Sequence, residues 1–519
     1  MRTYIFAIGG TGARVLRSLT MLLASGVEGT DTGKEIIPIV IDYDGDNGDT
    51  KRTQDVLEKY QKIHSAAYGN KILDHQEHYF CTPMKSLREL IDDETILSQN
   101  VRYGIPLERM DKETTYSGYI DYSSLNISNG TLPTRRLLEC LYSTEPAKDD
   151  QNEENLKAEL HMKLYHGFRG CPNIGCVVTK QLLDNDALNQ LPGLIQEGDK
   201  VFIIGSIFGG TGASGIPMLL DFFKSGKYEE SFNNNKVGVL AVTPYFNLNR
   251  VDDKKSPIDS NTFIAKTKAA LTAYEETVYQ TADAVYMVGD DKVAQPFENI
   301  EGGTRQKNSA NVVELVGAMM AIDFMRKDDS SLEHSFFEFG LQNNHDSTTP
   351  LVYGDFYEQT TKSYFDPMTR YVIFKHFCQQ YVFKKQWAAS DYFVGNDSGL
   401  EKNNPFFDNL EAFYKEFELW ITELEDRKYR PLKLFNLNED SYDKLLEYRN
   451  LEDCIKEMNI RQYMSESCGD PSKKDDGSNN AEKYEGHPEE LFFVNAYNAL
   501  CRIQTDINKQ SSKNKKSDK

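Results

Sequence analysis

Apolar residues stand together at Tyr4-Ile5-Phe6-Ala7-Ile8, and Val15, Leu16, Leu19, Leu22 and Leu23 then recur at helical spacing within residues 13–23. The first run predicts a buried strand and the second a helix with one apolar face. Ile36-Ile37-Pro38-Ile39-Val40-Ile41 predicts a second buried strand that ends at Asp42. Strand, helix and strand make a βαβ unit, which demands a right-handed crossover and parallel strands. Residues 50–160 are polar and rich in Tyr, Asp and Glu, with a helix predicted at 132–141. Further apolar runs at 174–178, 201–204, 237–242 and 284–288 predict strands, and helices are predicted at 213–224, 262–280 and 308–326. That rhythm is the mark of an α/β fold, a mostly parallel sheet flanked by helices.

Beyond residue 330 the pattern turns mainly helical, with long aromatic and charged stretches at 370–387 and 406–427. The expected organisation is an α/β domain over 1–330, interrupted by an insertion at about 55–160, and a helical C-terminal domain over 331–467. A flexible loop at 468–487, a helix at 488–508 and a lysine-rich disordered tail at 509–519 complete it.

Composition narrows the partners. A formal charge of -21 on 519 residues disfavours nucleic acid and anionic membranes. No stretch approaches the about 18 apolar residues of a membrane span. The chain opens on a strand rather than on a leader, so the cytoplasm is the expected compartment. Eight cysteines form no CxxC pair, and His75 and His78 stand without a Cys or carboxylate cluster, so no metal site is expected.

Two glycine turns carry the candidate chemistry: Gly9-Gly10-Thr11-Gly12 and Gly209-Gly210-Thr211-Gly212-Ala213-Ser214, each between a strand and a helix. Free backbone N–H groups in such turns, with the positive end of the following helix, hold phosphate oxygens. No lysine follows either turn, so neither is a Walker A loop. Gly10-Thr11-Gly12 opens a dinucleotide fingerprint, but Val15 stands where its third glycine belongs. Asp42 at the end of the second strand would then meet a ribose hydroxyl, which makes a Rossmann-type oxidoreductase the rival reading.

The run from Ile203 to Gly215 resembles the GGGTGSG signature of the tubulin/FtsZ superfamily, with Phe208 and Ser214 departing from it. Gly9–Gly12 is similar to that family's first nucleotide loop and Ile41-Asp42-Tyr43-Asp44 to its second. Gly170-Cys171-Pro172-Asn173-Ile174-Gly175 is similar to the third, beside the γ-phosphate, and Val242-Thr243-Pro244-Tyr245-Phe246-Asn247 to the sugar-side loop. Asn311, or Asn308 one turn earlier, matches the residue that opens the core helix and bonds the guanine edge. The set looks most like the divergent bacterial tubulin-like proteins and covers residues 1–330. It implies GTP or GDP as ligand, with ATP an open alternative and Mg2+ arriving through the phosphates.

The resemblance further implies a cytoskeletal, filament-forming chain that assembles with itself head-to-tail, alone or with other proteins of its system. GTP hydrolysis would be completed by an acidic loop of the neighbouring subunit. The matching region, Arg326 to Tyr357, carries Asp328, Asp329, Asp346 and Asp355, and Asp355 is the nearest match to a catalytic acid. A nucleotide-binding scaffold that does not polymerise is the other reading.

Overall fold

The computed structural model describes residues 1–29, 34–69, 78–97, 102–105, 107, 110–125, 132–142, 159–168, 170–227, 230–248, 262–290, 298, 300, 302–337, 339, 341–342, 349–385, 387, 400–426, 430–446, 457–468, 484 and 486–517. Strands buried on both faces need helices on both sides, and the chain supplies them. β1 (Arg2–Ile8), β2 (Glu35–Ile41), β3 (Lys200–Ser206), β4 (Lys236–Val242), β5 (Ala284–Val288) and β6 (Ser335–Phe337) form a six-stranded sheet in the order β2-β1-β3-β4-β5-β6. Every pairing is parallel. The helices that position the rest are α1 (Gly9–Ala24), α2 (Gly48–Tyr68), α3 (Pro172–Val178), α4 (Thr211–Lys224), α5 (Phe263–Glu276), α6 (Val312–Arg326), α7 (Asp366–Phe377), α8 (Pro405–Leu424) and α9 (Pro488–Ser517).

Alternate residues of each strand feed opposite cores. Ile5, Ala7, Phe202, Ile204, Leu240 and Tyr286 face α1, α2 and α6. Tyr4, Phe6, Ile8, Val201, Ile203 and Val239 face α4, through Ile216, Leu219, Phe222 and Phe223. The first of these cores continues without a break into Phe374 of α7, Phe413, Phe417 and Trp420 of α8, and Phe493 of α9. The fold class expected from the sequence, a parallel α/β sheet with a mainly helical C-terminal region, is the one observed.

The predicted strand at 174–178 is instead helix α3. Pro172 stands at the start of that helix with its φ already set, and Ile174 and Val178 are buried one turn apart. A short apolar run does not by itself separate a strand from a buried helix. The predicted 370–387 helix is α7, bounded by π-helical turns at Thr361–Phe365 and Cys378–Val382. α9 runs past residue 508, to Ser517. The loop expected at 468–487 falls largely outside the described residues, as do His75 and Asp346.

The sheet stops at β2 for a reason written in its sequence. Ile36 N–H donates outward to the carbonyl of Pro83 (2.9 Å) and Val40 N–H to that of Tyr103 (2.8 Å). Pro38 lies between them on the same side of the strand and has no N–H to give. The cover over this edge is accordingly split into two isolated bridges, Ile36 to Met84 and Val40 to Gly104.

Candidate functional site

β1 sits between β2 and β3, so the chain leaves it in one direction and the next strand of the sheet lies in the other. A crevice opens at such a switch point, at the carboxyl ends of the strands, and it is where open α/β sheets take ligands. Both glycine turns lie there. α1 begins in the first and α4 in the second, and a side chain at Gly9 would touch Thr211 at 3.6 Å. They open into one cleft of about 960 Å³, counting its mouth.

Of the residues singled out from the sequence, Gly9, Gly10, Thr11, Asp42, Gly170, Gly209, Thr211, Gly212 and Asn308 line this cleft. Gly12, Gly210, Ala213 and Ser214 stand behind it. A Cβ on Gly12 would come within 2.8 Å of Ile204 O, so this glycine lets α1 pack against the sheet. One on Gly210 would meet Phe168 at 2.7 Å. The Ser214 hydroxyl donates back to Gly210 O (2.9 Å), and Ala213 O accepts from the Tyr274 hydroxyl (2.9 Å).

The two asparagines separate cleanly. Asn311 caps α6: its Oδ1 accepts from Val313 N–H (2.9 Å), while Glu314 Oε2 accepts from Asn311 N–H (3.0 Å). Asn308 is in the cleft wall, its backbone N–H and Nδ2 both donating to the Asp49 carboxylate at 3.0 Å. Asp355 is not brought to the cleft. It is 4% exposed and its Oδ2 accepts from Val352 N–H (2.8 Å), closing its own 3-10 turn, so a neighbouring subunit would not reach it. Asp329 is on the surface, 3.5 Å from Lys200 Nζ.

The floor of the cleft is a buried ionic cluster that sequence reasoning did not find. The Arg14 guanidinium donates to Asp49 Oδ2 (2.7 Å), Glu314 Oε1 (2.5 Å), Thr11 Oγ1 (3.3 Å) and the Tyr245 hydroxyl (2.7 Å). Burial works against its charge, but Tyr245, Glu314 and Asp49 outweigh that and hold it firmly protonated. Charged residues are buried only when paired, and an arginine interrupting the apolar run Ala13-Arg14-Val15-Leu16 was the available signal. Asn47 links the floor to the wall, capping α2 through Oδ1 and donating from Nδ2 to Gln306 Oε1 (2.8 Å).

Asp42 and Asp44 face the glycine turns across the cleft. Burial, with smaller contributions from the charges of Asp44 and Asp49, pushes the Asp42 carboxyl up to about 8. Its Oδ1 accepts from Asp44 N–H (3.1 Å) and its Oδ2 is buried with no hydrogen-bond partner. Phe208, Phe246, Leu248 and Phe263 make an apolar wall beside the second turn, with Phe208 5.0 Å from Phe263 and 5.5 Å from Phe246 between ring centres. The cleft therefore offers helix N-termini and free amides for an anion, polar groups at one end and an aromatic surface at another.

No protein-family model matches the chain, and no curated protein matches it. Among solved structures, it is similar to CetZ2 from Haloferax volcanii, described as a GTPγS-bound protofilament, at 13% sequence identity with a TM-score of 0.28. The match covers 65% of this chain and 64% of that one, so less than two thirds of that structure's length is spanned.

Proposed function

We propose that the cleft binds a purine nucleoside triphosphate, GTP in the first instance, in the manner of tubulin/FtsZ-like proteins. The observation that carries this reading is the meeting of two glycine turns, on hydrogen-bonded neighbours β1 and β3, in one cleft at the switch point. The N–H groups at Gly9–Thr11 and Gly209–Thr211, with the N-termini of α1 and α4, would cradle the phosphates. Mg2+ would arrive with them and offset their charge. The unpartnered Asp42 Oδ2 would accept from a ribose hydroxyl, and Asn308 in the cleft wall would read the base edge.

A dinucleotide-binding oxidoreductase uses one such turn; here a second, from β3, shares the cleft. Val15 stands at the fingerprint's third position, where a glycine would serve close helix packing, and its side chain lies against Gly317 of α6. Head-to-tail self-association follows from the family resemblance, because a heterologous contact repeats. The test is to denature purified protein and identify the nucleotide released, then titrate GTP, ATP and NAD by calorimetry. Guanine nucleotide released, or GTP preferred, supports the reading; NAD preferred, or nothing bound, overturns it. Pelleting with GTP separates a polymer from a scaffold that binds nucleotide as a small species.

A further inference from the structure

Resting on that nucleotide reading, we propose that His166 and Asp44 form a general-base pair that hydrolyses the terminal phosphate within a single chain. The strip from Leu164 to Phe168 lies across the second glycine turn, with Phe168 packed on Gly210 and Gly167 beside Thr211. His166 in this strip lines the cleft, and its buried Nδ1 sits 3.7 Å from Asp44 Oδ1 without a hydrogen bond. Catalytic hydrogen bonds are commonly this long before substrate arrives.

Asp44 is built to orient a partner. It is 3% exposed, its Oδ2 accepts from Gly303 N–H (2.6 Å) and its Oδ1 from Asp46 N–H (3.2 Å). Gly302 makes room for the pair: at φ +129° it takes a conformation that side chains rarely adopt. A Cβ there would sit 2.7 Å from Asp44 Oδ2 and 3.1 Å from His166 Cβ. A buried carboxylate beside an imidazole that lines the cleft follows the logic by which carboxylates fix a histidine base.

In the step itself, Nε2 of neutral His166 takes a proton from water as the water oxygen bonds to the γ-phosphorus. The bond from that phosphorus to its bridging oxygen breaks, and the electron pair stays on the diphosphate. Nδ1–H donates to Asp44, which supports the imidazolium. No acid from a second copy is needed, in keeping with Asp355 being closed into its own turn.

The test uses the full chain with GTP and GDP. Wild type should release phosphate in a single turnover at a rate per chain that does not change on dilution. His166→Ala should bind GDP as tightly as wild type within about threefold while losing at least about 100-fold in that rate, the lower end for a general base. His166→Gln, which keeps a planar polar group, should do the same and covers failure of the alanine variant to fold. An unchanged rate in these variants overturns the pair, as does a wild-type rate that rises with protein concentration. Wild type that binds GTP yet releases no phosphate also overturns the pair but leaves the nucleotide reading standing. Wild type that binds neither nucleotide overturns both.

Discussion

At the scale of single residues, the cleft is governed by where charge is buried. Arg14 is satisfied on several sides, whereas Asp42 is left with an open oxygen. Asp42 titrates near 8 in the folded chain against 3.8 ordinarily. Below about pH 4 it is protonated both folded and unfolded, and costs nothing. As the pH rises toward 8 the unfolded chain loses this proton while the folded one retains it, so stability falls; beyond 8 the cost is constant. Asp42→Asn should therefore melt at the same temperature as wild type near pH 4 and above it at pH 8, in thermal denaturation without nucleotide. The converse result, an advantage only in acid, would sink the assignment. Asp42 was legible in the sequence as a strand-end carboxylate; its isolation was not, because that depends on Asp44, Asp49 and a wall of residues far along the chain.

At the scale of elements, the turns and caps were read more easily than their tasks. Both glycine turns were visible as strand-to-helix junctions, and local spacing suffices for that. That Asn311 caps α6 while Asn308 lines the cleft was not, since an asparagine before a helix looks the same in either place. Asn311→Ala should destabilise the chain by roughly 1 kcal/mol, the usual value of a cap, and leave GTP affinity unchanged. Asn308→Ala should weaken GTP binding about tenfold, the loss of about 1.4 kcal/mol from one neutral contact, and should also lower the urea midpoint because Asp49 loses the Nδ2 donor. Calorimetry and urea titration on both variants check the pair of outcomes, and an exchange of their effects would reverse the assignment. The missed helix α3 has the same origin: its short apolar run carries no period, and Pro172 gave the better clue.

Across the whole molecule, the C-terminal helices were expected as a separate body, yet α8 reaches into the foundations of the cleft. Trp420 Nε1 donates to Ser18 Oγ (3.1 Å) on α1. Glu423 accepts from Arg52 of α2 (2.6 Å), Arg17 of α1 (3.3 Å) and Ala310 N–H at the approach to α6 (2.9 Å). One carboxylate thus ties together α1, α2 and the approach to α6. Arg17 is fully buried, and burial together with the nearby charge of Arg52 presses on its proton. Glu423→Ala leaves that cation without its carboxylate and should cost about 3–5 kcal/mol. Because the core is continuous, urea unfolding should be a single step with far-ultraviolet circular dichroism and tryptophan fluorescence coincident. Two separate steps would mark the halves as independent. None of this was legible in the sequence, since Glu423 and Arg17 are joined only by tertiary packing.

Pro38 turns a missing proton into a limit on what can pair with the sheet at β2. An edge strand with every N–H free invites a foreign strand to extend the sheet. Here that edge is interrupted at its midpoint and sealed on either side, and the opposite margin, β6, is three residues long. Lateral growth of the sheet, the route to uncontrolled aggregation, has no template on the β2 side. Pro38→Val would restore the donor and, with it, the hazard that the proline removes.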